Sequence, residues 1–154
     1  MEKVHMLREI VPNVTLGTDI IVGFPTETEE EFQMTYDKLK EVEYSTAFLY
    51  SYSPRKGTPA MRWMDDIPEE VKQDRLQRLM KLQDDISTKQ RQDFLGKEVE
   101  ILVEKPNFKD SKMMKGRTRC WKNVLYPGQE SDVGTLKRVK VHSYSHQTLI
   151  GDVV

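Results

Sequence analysis

Hydrophobic positions along the chain change period three times, and each change predicts an element. Val4, Leu7 and Val11 recur at near-helical intervals before Pro12 and Asn13, which predicts the end of an amphipathic helix stopped by a turn. Residues Val14 to Phe24 (VTLGTDIIVGF) are β-branched and apolar, the profile of a central parallel strand covered on both faces. Thr28, Glu29, Glu30 and Glu31 then form a candidate capping box, with carboxylates at the positive end of the helix dipole. Phe32, Tyr36, Leu39 and Val42 make one apolar stripe on the helix that follows. A second strand, Ser45 to Tyr52, ends where SPRKGTP breaks regular structure. Strand, helix and strand in this order predict a βαβ unit, because parallel strands need a crossover. Two strands cannot close a barrel, so the unit is expected to be completed by residues outside this sequence or to stay exposed at its edges.

A long helix is expected next. Pro68 suits its first turn, Glu69 and Glu70 complement its dipole, and Val71, Leu76, Leu79, Leu82 and Ile86 supply a stripe that runs toward Phe94 before Gly96. Beyond Gly96 the pattern turns to short strands at Val99 to Val103, Thr118 to Leu125, Leu136 to Val141 and Thr148 to Val154. Pro106, Gly116, Pro127, Gly128 and Gly134 are placed between them as breakers. Strands at this spacing predict a small antiparallel barrel. The fold class is therefore α/β followed by all-β, divided as 1–66, a connecting helix over 67–95, and 96–154.

Composition narrows the chemistry. Of 154 residues, 32% are charged and 37% hydrophobic, and the longest apolar run, Ile20 to Val22 extended by Gly23 and Phe24, is far too short to cross a bilayer. With no signal peptide at its start, the chain is expected in the cytoplasm, without a membrane partner. Cys120 is the only cysteine, which excludes an internal disulfide and a thiolate cluster for zinc or iron–sulfur. His5, His142 and His146 fit no metal spacing. Charge is divided along the chain: residues 1–95 hold 13 Lys+Arg against 18 Asp+Glu, a net of −5, and residues 96–154 hold 11 against 7, a net of +4. The basic last third suits an anionic partner, although a mildly basic face is common on small domains.

Ligands of parallel α/β folds bind at the carboxyl ends of the strands, where the loops converge. Two loops qualify. The first is Gly23 to Glu27, in which Gly23 permits close backbone approach and Pro25 stiffens the exit; the second begins Tyr52-Ser53-Pro54-Arg55 and offers an aromatic ring, a hydroxyl and a guanidinium. Taken alone, these residues are better accounted for by ordinary turn duty. Asp19, inside an apolar strand, needs either a structural partner or a polar interior to face. In the basic third, Arg117, Arg119 and Lys122 surround Trp121, and Lys137, Arg138 and Lys140 form a second basic strand. Such cations neutralise phosphates and predict an RNA surface, with Trp121 expected in the barrel core rather than stacked on a base.

Four segments, in order and spacing, carry a family resemblance: TDIIVGFPTETEEEF (Thr18 to Phe32), YSPRKGTPA (Tyr52 to Ala60), IPEEVKQDRLQRL (Ile67 to Leu79) and GRTR (Gly116 to Arg119). Together they resemble the radical S-adenosylmethionine methylthiotransferases over nearly the whole chain. SPRKGTPA and GRTR look most like the branch that acts on a modified adenosine beside the tRNA anticodon, the MiaB type. The resemblance implies that Val14 to Tyr52 supplies the last two strands of a TIM-type (radical SAM) barrel, and that 96–154 is a TRAM domain, a small OB-like, RNA-binding β-barrel. It also implies S-adenosylmethionine and two 4Fe-4S clusters as cofactors. One cluster would be held by a CxxxCxxC loop and the other by three cysteines of an N-terminal domain. None of these motifs lies in this sequence, so the ligands would belong to a missing N-terminal part of the same enzyme, and the fragment alone is expected to be inactive.

Residue by residue, Asp19, Ile21, Gly23 and Phe24 occupy the place where such barrels meet the adenosyl group. The family pattern GxIxGxxE is matched at Ile21 and Gly23, has Asp19 at its first position, and carries its acid at Glu27 rather than Thr26. Tyr52 and Ser53 lie where backbone groups meet adenine, and Arg55 is a candidate for a cofactor carboxylate or substrate phosphate. The anticodon stem-loop of tRNA is the implied partner. A methylthiotransferase acting on a ribosomal-protein aspartate and a non-catalytic RNA-binding module are the alternatives.

Overall fold

The structure is a computed structural model that describes residues 1–154. It comprises two compact units, Met1–Ser87 and Thr88–Val154. The first is mixed α/β and the second is mostly β.

In the first unit, α1 (Glu2–Ile10) is followed by β1 (Gly17–Val22), α2 (Glu29–Val42), β2 (Thr46–Ser51) and most of α3 (Glu69–Gln92). β1 and β2 pair in parallel from Gly17 opposite Thr46 to Val22 opposite Ser51, with α2 as the crossover. The capping box forms: the Glu31 amide donates to Thr28 Oγ1 at 3.2 Å, and the Thr28 amide donates to the Glu31 carboxylate at 2.8 Å. Val22, Phe32, Leu39, Leu79, Leu82 and Ile86 form the core, with Ile20, Ala47 and Leu49 packed against it. Both helices thus cover one face of the sheet. The expectation of a strand buried on both sides is corrected: Asp19, Ile21, Phe48 and Tyr50, on the opposite face, are exposed. Strict alternation of side chains sends every second residue away from the helices, whatever its polarity.

The second unit is a closed five-stranded barrel in the order β3-β4-β5-β7-β6, formed by β3 (Glu98–Asn107), β4 (Asp110–Thr118), β5 (Asn123–Pro127), β6 (Leu136–Ser145) and β7 (Thr148–Val153). Ile101, Val103, Met114, Val124, Tyr126, Val139, Val141 and Leu149 fill it. Three expectations are corrected here. The barrel is not wholly antiparallel, since β5 and β7 run parallel from Asn123 opposite Thr148. Thr118 to Leu125 is not one strand but the end of β4, a tight turn and the start of β5; Thr118 closes that turn by accepting from the Lys122 amide at 3.0 Å. Pro106 and Gly116 lie inside β3 and β4 rather than between strands. Pro106 adjoins a register shift, where a missing amide is tolerated, and Gly116 leaves room for Ile101, whose Cδ1 lies 2.7 Å from where a β-carbon would stand.

Candidate functional site

The two strand ends of the first unit are held by the beginning of α3. The buried stripe of α3 is Lys72, Arg75, Leu79, Leu82 and Ile86, so Val71 and Leu76, expected in the stripe, are only half-buried. Two cations occupy its first turns because each finds carboxylates. Lys72 Nζ lies 2.7 Å from both oxygens of Asp65. Arg75 Nη1 donates to the Glu27 carboxylate at 2.7 Å and to the Glu27 carbonyl at 3.1 Å, while its Nε reaches Glu29 at 3.3 Å. The Arg75 and Glu27 side chains are only 5% and 12% exposed, a burial that requires this pairing. Glu27 also accepts the Gly23 amide at 2.7 Å, and Asp66 accepts the Thr26 amide at 2.8 Å. The acid one position beyond the family pattern is therefore a structural clamp on the first loop. On the surface beside it, the hydrogen bond from Arg78 holds the Glu29 carboxyl below its ordinary range.

Gly23 has φ +71°, and Lys72 Cγ lies 2.3 Å from where its β-carbon would stand. The close approach expected of Gly23 is thus made by this lysine. Phe24 packs edge-on against Tyr52 and Trp63, with centroids 5.0 and 5.5 Å apart. Tyr52 is buried under Lys72, and its hydroxyl faces the Ala60 carbonyl at 3.4 Å. Ser53 and Arg55 are exposed, and the Arg55 carbonyl accepts the Thr58 hydroxyl at 2.8 Å. Asp19 stands opposite Phe48 and Ile21 opposite Tyr50, on the uncovered sheet face. Sequence reasoning missed Trp63, Lys72 and Arg75; for the two cations, their spacing of three and their register with Leu79, Leu82 and Ile86 were the available signal.

On the barrel, the aromatic expected in the core is outside it. Trp121 is 72% exposed, with φ +63° in the turn between β4 and β5, and the Arg117 guanidinium lies 4.2 Å from its ring centroid. Inward positions on β4 and β5 are the even-numbered ones, Met114, Gly116, Thr118, Val124 and Tyr126, so the alternation on either side of the turn also directs Trp121 outward. Arg117 also lies 3.4 Å from Glu104, and the outward Arg119 lies 3.7 Å from Glu100. Lys122 is half-buried, its Nζ donating to Gln90 at 3.2 Å, and burial pushes its ammonium below the ordinary value. The second basic strand is compensated. Lys137 pairs with Asp132 at 2.9 Å, Arg138 stands opposite Glu100, and Lys140 stands between Glu98 on β3 and Asp152 on β7. No group of three or more His, Cys, Asp or Glu side chains converges to hold a metal, and no helix is long and apolar enough to cross a membrane.

No model of a protein family matches the chain. Curated relatives do, from end to end. A protein of Protochlamydia amoebophila named tRNA-2-methylthio-N(6)-dimethylallyladenosine synthase is 73% identical over 99% of this chain. The chain corresponds to the C-terminal part of such methylthiotransferases. Proteins of the same name from Desulfitobacterium hafniense and Anoxybacillus flavithermus are 41% and 43% identical over 99% and 100% of it. The chain spans about a third of the length of these synthases, at 34%, 34% and 29%.

Proposed function

We propose that this chain is the C-terminal part of a tRNA methylthiotransferase that adds a methylthio group to a modified adenosine next to the anticodon. The observation that carries the proposal is the 73% identity running over 99% of the chain. In this reading β1, α2 and β2 belong to a TIM-type barrel, residues 67–95 connect, and residues 96–154 form a TRAM domain that binds the anticodon stem-loop. The enzyme would work in the cytoplasm.

S-adenosylmethionine would supply the methyl group. Its adenosyl part suits the uncovered sheet face, where Ile21 and Tyr50 stand side by side and the exposed Asp19 adds a carboxylate. Phe24 packs against Tyr52 at the strand end, and Ser53 and Arg55 are exposed at the exit of β2. Gly23 and Tyr52 contribute through packing with Lys72, which fixes the loop. The residues present do not fit an iron–sulfur cluster: one cysteine and no convergent ligand group cannot supply the thiolates it needs. The two cluster sites are assigned to the remaining two thirds of such an enzyme.

A chimera tests the proposal. Residues 1–154 replace the matching third of the Protochlamydia synthase, and tRNA from a synthase-deficient host is examined for the methylthio group by mass spectrometry. The chimera should restore the modification, and the same synthase lacking that third should not. A folded chimera that purifies with its clusters and leaves tRNA unmodified would refute the assignment.

A further inference from the structure

The turn between β3 and β4 carries a side chain that the fold does not use. Phe108 is fully exposed at the hairpin tip, where Asn107 stands opposite Asp110. An aromatic ring in water contributes nothing to barrel stability, and replacing it would cost the core nothing. Its surroundings are strongly basic. From Lys105 to Arg119 the hairpin holds Lys105, Lys109, Lys112, Lys115, Arg117 and Arg119 against the single acid Asp110. Asp110 is itself occupied, since its carboxylate accepts the Lys112 amide at 3.0 Å. Lys105 and Lys115 stand directly opposite each other, a like-charge pair that destabilises the ladder unless an anion bridges it. The predicted basic strand β6 differs, because Arg138 and Lys140 face acids on their neighbours.

Resting on the proposal that the barrel binds RNA, we infer that the β3–β4 hairpin is its principal RNA contact, with Phe108 stacking on an unpaired base while Lys105, Lys109 and Lys112 neutralise phosphates. Base stacking on an aromatic face tolerates any sequence, and cations beside it fix the strand. The Arg117–Trp121 stack lies at the far end of β4, in and beside the turn that follows it, and offers a second aromatic surface. An anionic membrane would also attract lysines and one aromatic ring, but a single phenylalanine anchors weakly in lipid, whereas one ring suffices to stack one base.

The test uses the complete chain. Binding is followed by fluorescence anisotropy with a labelled anticodon stem-loop RNA and with a duplex of the same stem lacking the loop. Phe108→Ala should weaken stem-loop binding by about 5- to 100-fold and leave duplex binding unchanged, and Phe108→Tyr should retain the affinity. The double change Lys109→Ala with Lys112→Ala should reduce the slope of log K against log salt by about 1.4. Because these side chains are exposed, circular dichroism should be unchanged in every variant. If the wild type binds the stem-loop and all hairpin variants bind equally well, the hairpin assignment fails and the RNA reading stands. A loss confined to Arg138→Ala with Lys140→Ala also overturns it, by moving the contact to β6. If the wild type binds neither RNA, or prefers anionic vesicles of phosphatidylserine and phosphatidylcholine, the RNA reading fails and the hairpin assignment with it.

Discussion

Tyr126 joins the barrel core to a polar knot at its rim. Its ring is fully buried, while its hydroxyl donates to Asp132 at 3.2 Å. Asp132 also accepts the Gln129 amide at 3.1 Å and pairs with Lys137 at 2.9 Å. The Lys137 hydrogen bond, followed by that of the Gln129 amide, holds the Asp132 carboxyl below its ordinary range. Burial, reinforced by the nearby Asp132 charge, pushes the Tyr126 phenol from 10.0 up to about 12. The protonated phenol is the form the fold prefers. Its contribution is therefore complete below pH 10, falls as pH rises through 10 to 12, and is lost above the folded value. A rise of that size corresponds to about 3 kcal/mol. Urea unfolding of the second unit between pH 9 and 12 should show this loss on the order of that size. Tyr126→Phe should remove it from the pH profile, and an unchanged alkaline slope in that variant would contradict the assignment.

At the scale of elements, the first loop is shaped by α3 together with its own Glu27. Gly23 and Gly57 both have positive φ, +71° and +86°, but only Gly23 has an atom in the place of a β-carbon; around Gly57 there is nothing within 4 Å. The atom at Gly23 belongs to the buried Lys72, whose ammonium is tied to Asp65, so the side chain cannot retreat without breaking that ion pair. Gly57→Ala should cost about 1 kcal/mol for the left-handed backbone alone. Gly23→Ala adds overpacking and should cost about 2–5 kcal/mol in total. Denaturant midpoints of the first unit measure both, and equal shifts would show that Lys72 does not fill the space. The same logic explains which element boundaries were legible. The capping box at Thr28 is local and readable, because Thr28 and Glu31, three residues apart, satisfy one another. β4 was missed because SKMMKGRT lacks alternating polarity, its inward positions being Met114, Gly116 and Thr118.

For the whole molecule, the two units differ in how completely each satisfies its own backbone. The barrel closes on itself and leaves no free sheet edge. The first unit has two strands only, with Ile21, Phe48 and Tyr50 exposed on one face. Produced separately, residues 88–154 should unfold cooperatively as a monomer, whereas residues 1–87 should bind a hydrophobic dye and associate with rising concentration. Sedimentation and dye fluorescence read these outcomes; a monomeric, dye-free first unit would mean that its uncovered face needs no partner.

The sequence by itself determined the α/β-then-β order, the βαβ crossover, the capped helix α2, the single cysteine and the concentration of positive charge after Gly96. These are properties of local period and composition, and neighbouring residues are enough to express them. Tertiary structure alone decided which face of β1 is covered, that Trp121 stands outside the barrel, and that β5 and β7 pair in parallel. It also decided that Arg138 and Lys140 meet acids across the sheet while Lys105 and Lys115 meet each other. Register makes that difference. A cation's electrostatic role depends on the residue opposite it on another strand, many positions away in the chain, and nothing in its local sequence specifies that neighbour.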